Sequence, residues 1–334
     1  MSDLPKIDII IPAYKAQNTI LRTLSSIAIQ EIVDDLEVTI VNDCDGIGYQ
    51  DFVDMFSGKL KIREITMKKN GGPGDARQFG IENTSNPLIM FIDADDTFSG
   101  AFALKILRLN ILAEPYNACC FGSFLEDQQV TYLNHPNDSV WMFGKLYKRD
   151  FIKKYNIHFL PGSRSNEDGG FNMLCKLYSN EAEKIKFIPD IIYYWHYKED
   201  SITRVDNANY SYNASFVGYT DNMIFALKEA EKKVPFNGNV MQQKVMVLCN
   251  LYEYWLETGV RDDRYEQQNW DCCKKYYKEI YHEIEDKIPD NILADCYNET
   301  MRNCYLGDKM NGIIPKIGFK EFIAKLKEET KWKQ

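Results

Sequence analysis

Apolar and polar residues follow two rhythms along the first hundred residues, one typical of strands and one typical of helices. The segment KIDIIIPAY (6–14) is rich in β-branched residues and predicts a strand that stops at Pro12. NTILRTLSSIAIQ (18–30) has apolar residues at helical spacing, and Asn18 or Thr19 is placed to cap the predicted helix. The apolar face of that helix is predicted to consist of Ile20, Leu21, Leu24, Ile27 and Ala28.

Three further strands and a second helix continue this alternation. The strands are predicted in LEVTIVND (36–43), KLKIREITM (59–67) and PLIMFIDADD (87–96), and the helix in GDARQFGIENT (74–84), after a glycine-rich turn. A strand–helix–strand order of this kind predicts an α/β fold with a mostly parallel sheet and helices on its faces. Ligands of such sheets bind at the carboxyl ends of the strands.

The pattern changes after about residue 205, so we divide the chain into a domain at 1–205 and a helical, Tyr-rich extension at 206–334. Helical faces are predicted from Val240, Val247, Leu248, Leu251 and Trp255, and again from Tyr277, Ile280, Tyr281 and Ile284. The simplest interpretation of these aromatic residues is a helix core. Residues 309–334 contain seven Lys and three Glu, which favours a solvated helix face over a binding site for an anionic partner.

Composition narrows the class of protein. The chain has 334 residues, 45% of them hydrophobic, as in soluble globular proteins, and no apolar run long enough to span a membrane. Its net charge of −9 argues against nucleic-acid binding over the whole surface. Nine cysteines without a CxxC pair indicate reduced thiols, and the amino terminus does not resemble a signal peptide, so we expect a cytoplasmic protein.

A group of three acidic residues follows the fourth predicted strand. Asp93, Asp95 and Asp96 repel one another unless a cation or a hydrogen-bond donor lies between them. In an extended segment, Asp93 and Asp95 point to the same side and together suit a hard divalent cation such as Mg²⁺ or Mn²⁺. A DxD triplet taken alone is weak evidence, because most such triplets are loops or caps.

Six segments together resemble the family 2 glycosyltransferases of the GT-A fold, including phage-encoded members. In chain order they are IDIIIPAYKAQNTILRTLSSIAIQ, EVTIVNDCDG, NGGPGDARQFGI, MFIDADD, RSNEDGGFNML and YYWHYKEDSITR. The resemblance covers residues 5–204 and departs from the family pattern at Asn42, Gln78 and His196, where the family usually has Asp, Asn and Arg. It implies a nucleoside diphosphate sugar as donor and a metal-dependent transfer with inversion at the anomeric carbon.

The resemblance also assigns a role to each acidic residue. Asp95 would hold Mn²⁺ or Mg²⁺ against the departing diphosphate, and Asp93 would reach the ribose or the metal through water. His196 would be a third metal ligand, or else an ordinary core residue beside its aromatic neighbours. Asp96 is equally well explained as a loop cap.

By the same resemblance, a second set of residues would surround the nucleotide. The base pocket would be lined by Pro12, Ala13, Tyr14 and Asp43. Asp43 would accept a hydrogen bond from the uracil N–H, with a turn residue as the alternative. Arg77 would add positive charge near the nucleotide, unless it is a surface helix residue. Ser201 and Arg204 would close over the pyrophosphate.

Glu167 and Asp168 precede a helix expected to begin near Gly169. The resemblance makes Asp168 the general base that takes the proton of the acceptor hydroxyl, with Glu167 orienting it or touching the acceptor. The alternative is an N-cap carboxylate, kept ionised by the helix amino terminus. Residues 135–152 correspond to the acceptor wall of the family, where Trp141 would offer a stacking surface or pack in the core.

The acceptor is open at this stage. We favour a glycan or a small hydroxyl compound, with hydroxymethylated bases of phage DNA as the alternative. A non-catalytic relative that binds glycans or nucleotides is a further alternative. A dinucleotide-dependent oxidoreductase is disfavoured, because its glycine fingerprint would follow the first strand rather than the third. The donor sugar and the oligomeric state are not readable from the sequence.

Overall fold

The computed structural model describes residues 4–199, 201, 206–207, 210–211, 215–235, 237–261, 263–306 and 317–331. The chain divides into two compact units, Met1–Lys198 and Glu199–Gln334. The sequence predicts a boundary a few residues later, after residue 205.

The first unit is built on one mixed sheet. Its strands are β1 (Ile7–Ala13), β2 (Leu36–Asn42), β3 (Lys61–Thr66), β4 (Leu88–Phe91), β5 (Thr97–Phe98), β6 (Asn117–Asp127), β7 (Tyr132–His135), β8 (Lys145–Lys148) and β9 (Lys184–Trp195). Its helices are α1 (Ile20–Ala28), α2 (Gln50–Phe56), α3 (Pro73–Glu82), α4 (Ala103–Leu112), α5 (Arg149–Tyr155) and α6 (Glu167–Tyr178).

The sheet has a parallel half and a mixed half. Within the described residues the strand order is β3-β2-β1-β4-β8-β6-β9-β5, and β7 pairs with β6. Strands β3, β2, β1 and β4 are parallel, as predicted. Strand β8 is antiparallel to both β4 and β6, whereas β9 is parallel to β6. The α/β prediction is therefore confirmed, but a mostly parallel sheet describes only the first four strands.

Pro12 does not end the first strand. It pairs in register with Val41, and β1 continues to Ala13. The carbonyl of Ala13 accepts the Asp43 N–H from the β2 side, so the nitrogen of Pro12 faces the β4 side. Pairing with β4 ends at Ile10, and the missing N–H of proline therefore costs no ladder hydrogen bond.

The buried face of α1 differs in part from the predicted one. Leu21 is exposed, and Thr23 is fully buried in its place. The hydroxyl of Thr23 donates to the Asp96 carbonyl at 2.8 Å, which satisfies a polar group inside the core. Thr19 occupies the N-cap position without a side-chain hydrogen bond. The prediction holds for Ile20, Leu24 and Ile27.

Helix α3 lies unusually close to β1. A Cβ atom at Gly80 would stand 2.3 Å from Cγ2 of Ile10, a separation that side chains do not adopt. Glycine at this position thus allows the helix to pack onto the parallel half of the sheet. This packing places the amino end of α3 beside the carboxyl ends of β2 and β4.

The second unit is mainly helical. It contains α7 (Val217–Glu231), α8 (Gly238–Arg261), α9 (Glu266–Tyr276), a π-helical turn (Tyr277–Tyr281), α10 (Asp290–Leu306), α11 (Phe319–Thr330) and two short paired strands, β10 (Asp206–Asn207) and β11 (Tyr210–Ser211). All residues of the two predicted helical faces are buried, so the core interpretation of these aromatics is confirmed. Among the helices of the described residues, none combines the length and the apolar character that a membrane span needs.

Candidate active site

The three aspartates after β4 form a tight turn rather than an extended segment. The Asp96 N–H donates to the Asp93 carbonyl at 3.1 Å, which closes the turn. The chain is not extended here, so the prediction that Asp93 and Asp95 point to one side of an extended segment is wrong. A turn directs each carboxylate to a different partner.

Asp96 anchors this turn from inside the unit. Its carboxylate is buried and accepts hydrogen bonds from the Tyr193 hydroxyl at 2.7 Å and from the His196 N–H at 2.9 Å. The Tyr193 hydroxyl in turn accepts the Asp93 N–H at 3.1 Å. Burial, with the nearby charges of Asp95 and Asp93, raises the pKa of Asp96 well above its usual range. Asp96 thus does more than cap a loop, because it ties the turn to β9.

Arg77 connects the aspartate turn to helix α6. Its guanidinium is buried and donates to Asp93 Oδ1 and to Glu167 Oε1, both at 2.7 Å. Burial acts to lower the pKa of Arg77, but the neighbouring carboxylates, Asp93 first, raise it overall. Helices α3 and α6 can approach this closely because residue 74 is glycine. A Cβ atom at this position would lie only 2.9 Å from Glu167 Cγ. Arg77 is therefore neither a surface residue nor an open cation.

Asp168 lies on the second residue of α6, which begins at Glu167 and not near Gly169. Asn166 occupies the N-cap position, so Asp168 is not the cap. Only 8% of Asp168 is exposed, and Oδ1 accepts the N–H of Gly169 at 2.8 Å. Burial, followed by the charge of Glu167, raises its pKa to about 7. The expectation that the helix amino terminus keeps this carboxylate ionised is corrected, since burial outweighs it.

Asp43 holds the glycine-rich turn that opens α3. Oδ1 accepts the Gly71 N–H at 2.7 Å and Oδ2 accepts the Gly72 N–H at 2.8 Å. Gly72 has a φ of +88°, a conformation that glycine adopts without strain. Burial raises the pKa of Asp43, and these two N–H donors offset part of that rise. The uracil-binding role predicted for Asp43 stays a prediction, beside this observed structural role.

The remaining nucleotide residues lie in different settings. Ala13 is buried at the end of β1, Pro12 is half-buried, and Tyr14 is exposed just beyond the strand. The Lys15 ammonium lies 5.2 Å from the centre of the Tyr14 ring. Ser201 belongs to the second unit and is half-buried, and Arg204 lies outside the described residues.

The aspartate turn offers hard oxygen donors for the implied divalent cation. Asp95 is about one-third exposed on its side chain, and burial together with the charge of Asp93 raises its pKa. This excess of negative charge on hard oxygen ligands fits a divalent cation. However, in the part of the chain that the structure describes, no three His, Cys, Asp or Glu side chains form a ligand cluster. His196 instead hydrogen-bonds Thr97 Oγ1 at 2.8 Å.

The segment predicted as acceptor wall is fixed to α6. Asn172, one turn after Asp168, donates to the carbonyls of Val140 at 2.9 Å and Trp141 at 3.0 Å. The buried Lys145 ammonium lies 2.5 Å from Asp138, whose carboxylate also accepts the Trp141 N–H at 3.1 Å. The backbone around Trp141 is thus held in a set position relative to the helix of Asp168.

Comparison with known proteins gives a family match over part of the chain. Residues 8–165 match the family model described as glycosyl transferase family 2. The chain resembles glycosyl transferase family 2 over these residues, which are just under half of its length. The fold agrees: residues 1–349 of S. aureus TarS, crystallised with UDP-GlcNAc, superpose with a TM-score of 0.67 at 17% identity, covering 90% of this chain and 92% of that one.

Sequence relatives include a poly(ribitol-phosphate) glycosyltransferase and a succinoglycan biosynthesis protein. The poly(ribitol-phosphate) beta-N-acetylglucosaminyltransferase TarS of Staphylococcus aureus is 27% identical over 209 residues, which are 58% of this chain and 36% of that protein. The succinoglycan biosynthesis protein ExoO of Rhizobium meliloti is 33% identical over 226 residues, 60% of this chain and 64% of that protein. The chain therefore spans only about a third of the TarS sequence.

Three residues of the candidate site received no role from the sequence. Tyr193, Asn172 and Lys145 are buried and make the contacts that hold the turn and the wall. Asn172 carries a local signal, because it follows Asp168 by four residues on the same helix, and Tyr193 opens the YYWHYKEDSITR segment of the resemblance. Tyr193 meets Asp96 from 97 residues away, a separation that no local pattern reveals.

Proposed function

We propose that this chain is an inverting glycosyltransferase that moves a sugar from a UDP-sugar to an acceptor hydroxyl. The observation that carries the proposal is the Arg77 bridge. One guanidinium joins Asp93, on the turn proposed to meet the donor diphosphate, to Glu167, next to the proposed base Asp168. This bridge holds the two partners of a single displacement in one rigid unit.

Asp168 is proposed to act as the general base. A carboxyl with a pKa of about 7 is ionised in half of the molecules near neutrality and is far more basic than an exposed aspartate. It would take the proton of the acceptor hydroxyl as that oxygen bonds to the anomeric carbon and the bond to the diphosphate breaks. Glu167 is committed to Arg77, so its proposed role is to set the place of Asp168.

On the donor side, Asp93 and Asp95 are proposed to meet the sugar nucleotide. A bound Mn²⁺ or Mg²⁺ would supply Lewis-acid neutralisation of the departing diphosphate, held by Asp95 with Asp93 and His196 as further candidates. A cation-bound structure of the mannosyltransferase PcManGT from Pyrobaculum calidifontis, with GDP-Man and Mn²⁺, has a related fold with a TM-score of 0.54. Pro12, Ala13, Tyr14 and Asp43 are proposed to line the base pocket.

For the acceptor we propose a glycan or a small hydroxyl compound, bound beside Trp141. The names of the TarS relatives, which act on poly(ribitol phosphate), support this class. Hydroxymethylated DNA stays an alternative prediction.

We also propose that residues 1–205 form the catalytic domain, with Ser201 and Arg204 near the donor, and that 206–334 form an accessory region. The free thiols of the eight described cysteines support a cytoplasmic setting.

A donor screen tests this function directly. The purified chain is incubated with UDP-GlcNAc, UDP-glucose or GDP-mannose, in Mn²⁺, Mg²⁺ or EDTA, and release of free nucleotide is measured. We expect release from a UDP-sugar with a divalent cation. Release from GDP-mannose alone would contradict the proposed uracil pocket.

The acceptor and the metal are tested in a second step. Label from the donor is followed into oligosaccharides, poly(ribitol phosphate) and hydroxymethylated duplex DNA. Asp95→Ala is expected to lower transfer by about 100-fold, as loss of a charge-stabilising group does. Asp51→Ala, which removes an exposed aspartate of α2, is the matched control. Unchanged transfer and unchanged metal dependence in Asp95→Ala would overturn the proposed role of the turn.

A further inference from the structure

The outer rim of the aspartate turn carries two cationic side chains that the function proposed above does not use. Arg22, in the first turn of α1, donates a guanidinium N–H to the backbone carbonyl of Asp95. The Lys198 ammonium lies 3.6 Å from Asp95 Oδ2, and 37% of its side chain is exposed. Arg22 is exposed as well. Two elements far apart in sequence therefore bring positive charge to the same accessible edge.

These two cations differ from Arg77 in their setting. Arg77 is buried, and its guanidinium forms ion pairs with two carboxylates, those of Asp93 and Glu167. Arg22 and Lys198 face the exposed side of Asp95, and both act to lower its pKa against the effect of burial. Arg22 also acts to lower the pKa of His196, after burial, which places its charge close to that imidazole too.

A contribution to folding does not account well for such a pair. Exposed ion pairs contribute little to stability, because water and salt screen them. Their chemistry, in contrast, suits a phosphate ligand. A guanidinium has five N–H donors in a fixed fork, of which the Asp95 carbonyl takes one, and an ammonium binds phosphate as a point charge.

The balance of charges at the aspartate turn also favours a phosphate ligand. Asp93 and Asp95 would repel an incoming diphosphate, and Arg77 is already committed to Asp93 and Glu167. Positive charge on the outer rim offsets this repulsion without any bound metal. The rim also lies beside Asp95, where the proposed function places the departing diphosphate.

We propose that Arg22 and Lys198 form a cationic outer wall of the diphosphate subsite, so that the chain binds a nucleoside diphosphate even without a divalent cation. This inference rests on the proposed function and deepens it. It assigns to the chain two donor-binding residues in addition to the aspartates. The two side chains would contact the phosphate oxygens beside Asp95, whereas Arg77 is bound to Asp93 and Glu167.

Binding measured in EDTA at low salt tests the proposal. UDP and inorganic pyrophosphate are titrated into the full chain and into Arg22→Gln and Lys198→Gln by calorimetry. Each substitution is expected to raise the Kd for both probes about tenfold, the usual effect of one charge-assisted contact to phosphate. Lys105→Gln is the matched control, because Lys105 also forms an exposed pair, with Glu31 at 2.8 Å, and its loss changes the net charge equally.

The possible results separate this proposal from the proposed function. Equal affinity in all variants, or wild-type binding of UDP only when Mn²⁺ is present, would overturn the cationic wall and leave the sugar transfer intact. Wild-type binding of pyrophosphate but not of UDP, with loss in both variants, would support the wall and contradict the uracil pocket. An equal loss in Lys105→Gln would show a general charge effect and would also overturn the wall.

Discussion

Replacing Asp168 by Asn is expected to abolish sugar transfer and, at the same time, to stabilise the first unit above neutral pH. The carboxyl is 8% exposed, and its pKa of about 7 compares with an ordinary value of 3.8. The difference corresponds to about 4 kcal/mol of cost for the ionised form inside the fold. Asn has nearly the same shape and cannot ionise, so it escapes this cost.

The sign of the pH dependence follows from proton binding. Between pH 4 and pH 7 the folded chain keeps the Asp168 proton, whereas the unfolded chain has released it. The stability of the wild type therefore falls across this window relative to Asp168→Asn, by about 1.4 kcal/mol for each pH unit. Above pH 7 the difference is complete and becomes constant.

Pulse proteolysis in urea between pH 4.5 and pH 8.5 measures this difference, with peptides of β1 and β4 reporting on the first unit. Asp51→Asn, an exposed first-turn aspartate of α2, shows what the loss of any first-turn carboxylate does. A constant stability difference between Asp168→Asn and the wild type over the whole range would refute the reasoning. If Asp168 is the proposed base, the rate of sugar transfer should also rise as the pH passes 7, because a base acts in its ionised form.

Two further predictions concern packing and buried charge. Gly80→Ala should lower the free energy of unfolding by about 1–3 kcal/mol, since its Cβ would collide with β1, while Gly58→Ala, with open space around the Cβ, should change it little; urea unfolding midpoints compare them. Lys145→Met should cost about 3–5 kcal/mol by leaving Asp138 without its buried partner, against at most about 1 kcal/mol for Lys105→Met at an exposed pair. A loss in Lys145→Met no larger than in Lys105→Met would contradict the buried-pair argument.

Local patterns in the sequence were sufficient for the parallel half of the sheet. Strands β1, β2 and β4 are short apolar runs, and α3 follows a glycine-rich turn with Pro73 at its start. Such signals depend only on neighbouring residues. The later strands were not predicted. Strands β6 and β9 pair across nearly seventy residues, and a pairing over that distance leaves no pattern among neighbouring residues.

The candidate site also combines residues that the sequence indicates with contacts that only the structure shows. Motif order located Asp95, Asp168 and Asp43, since each lies next to a recognisable strand or helix. The partners of Arg77 could not be read, because they lie 16 and 90 residues away. The same holds for the turn at Asp93, where the extended geometry expected from the DxD spacing gives way to a chain reversal.

The sequence by itself determined the four parallel strands, the acidic groups that follow them, and the family that those groups resemble. Tertiary structure alone decided which of these groups meet, and in what state of ionisation. The physical reason is that burial and long-range contact set both: Asp168 has its raised pKa chiefly because the folded chain removes it from water, and Arg77 meets Asp93 and Glu167 only in the folded chain.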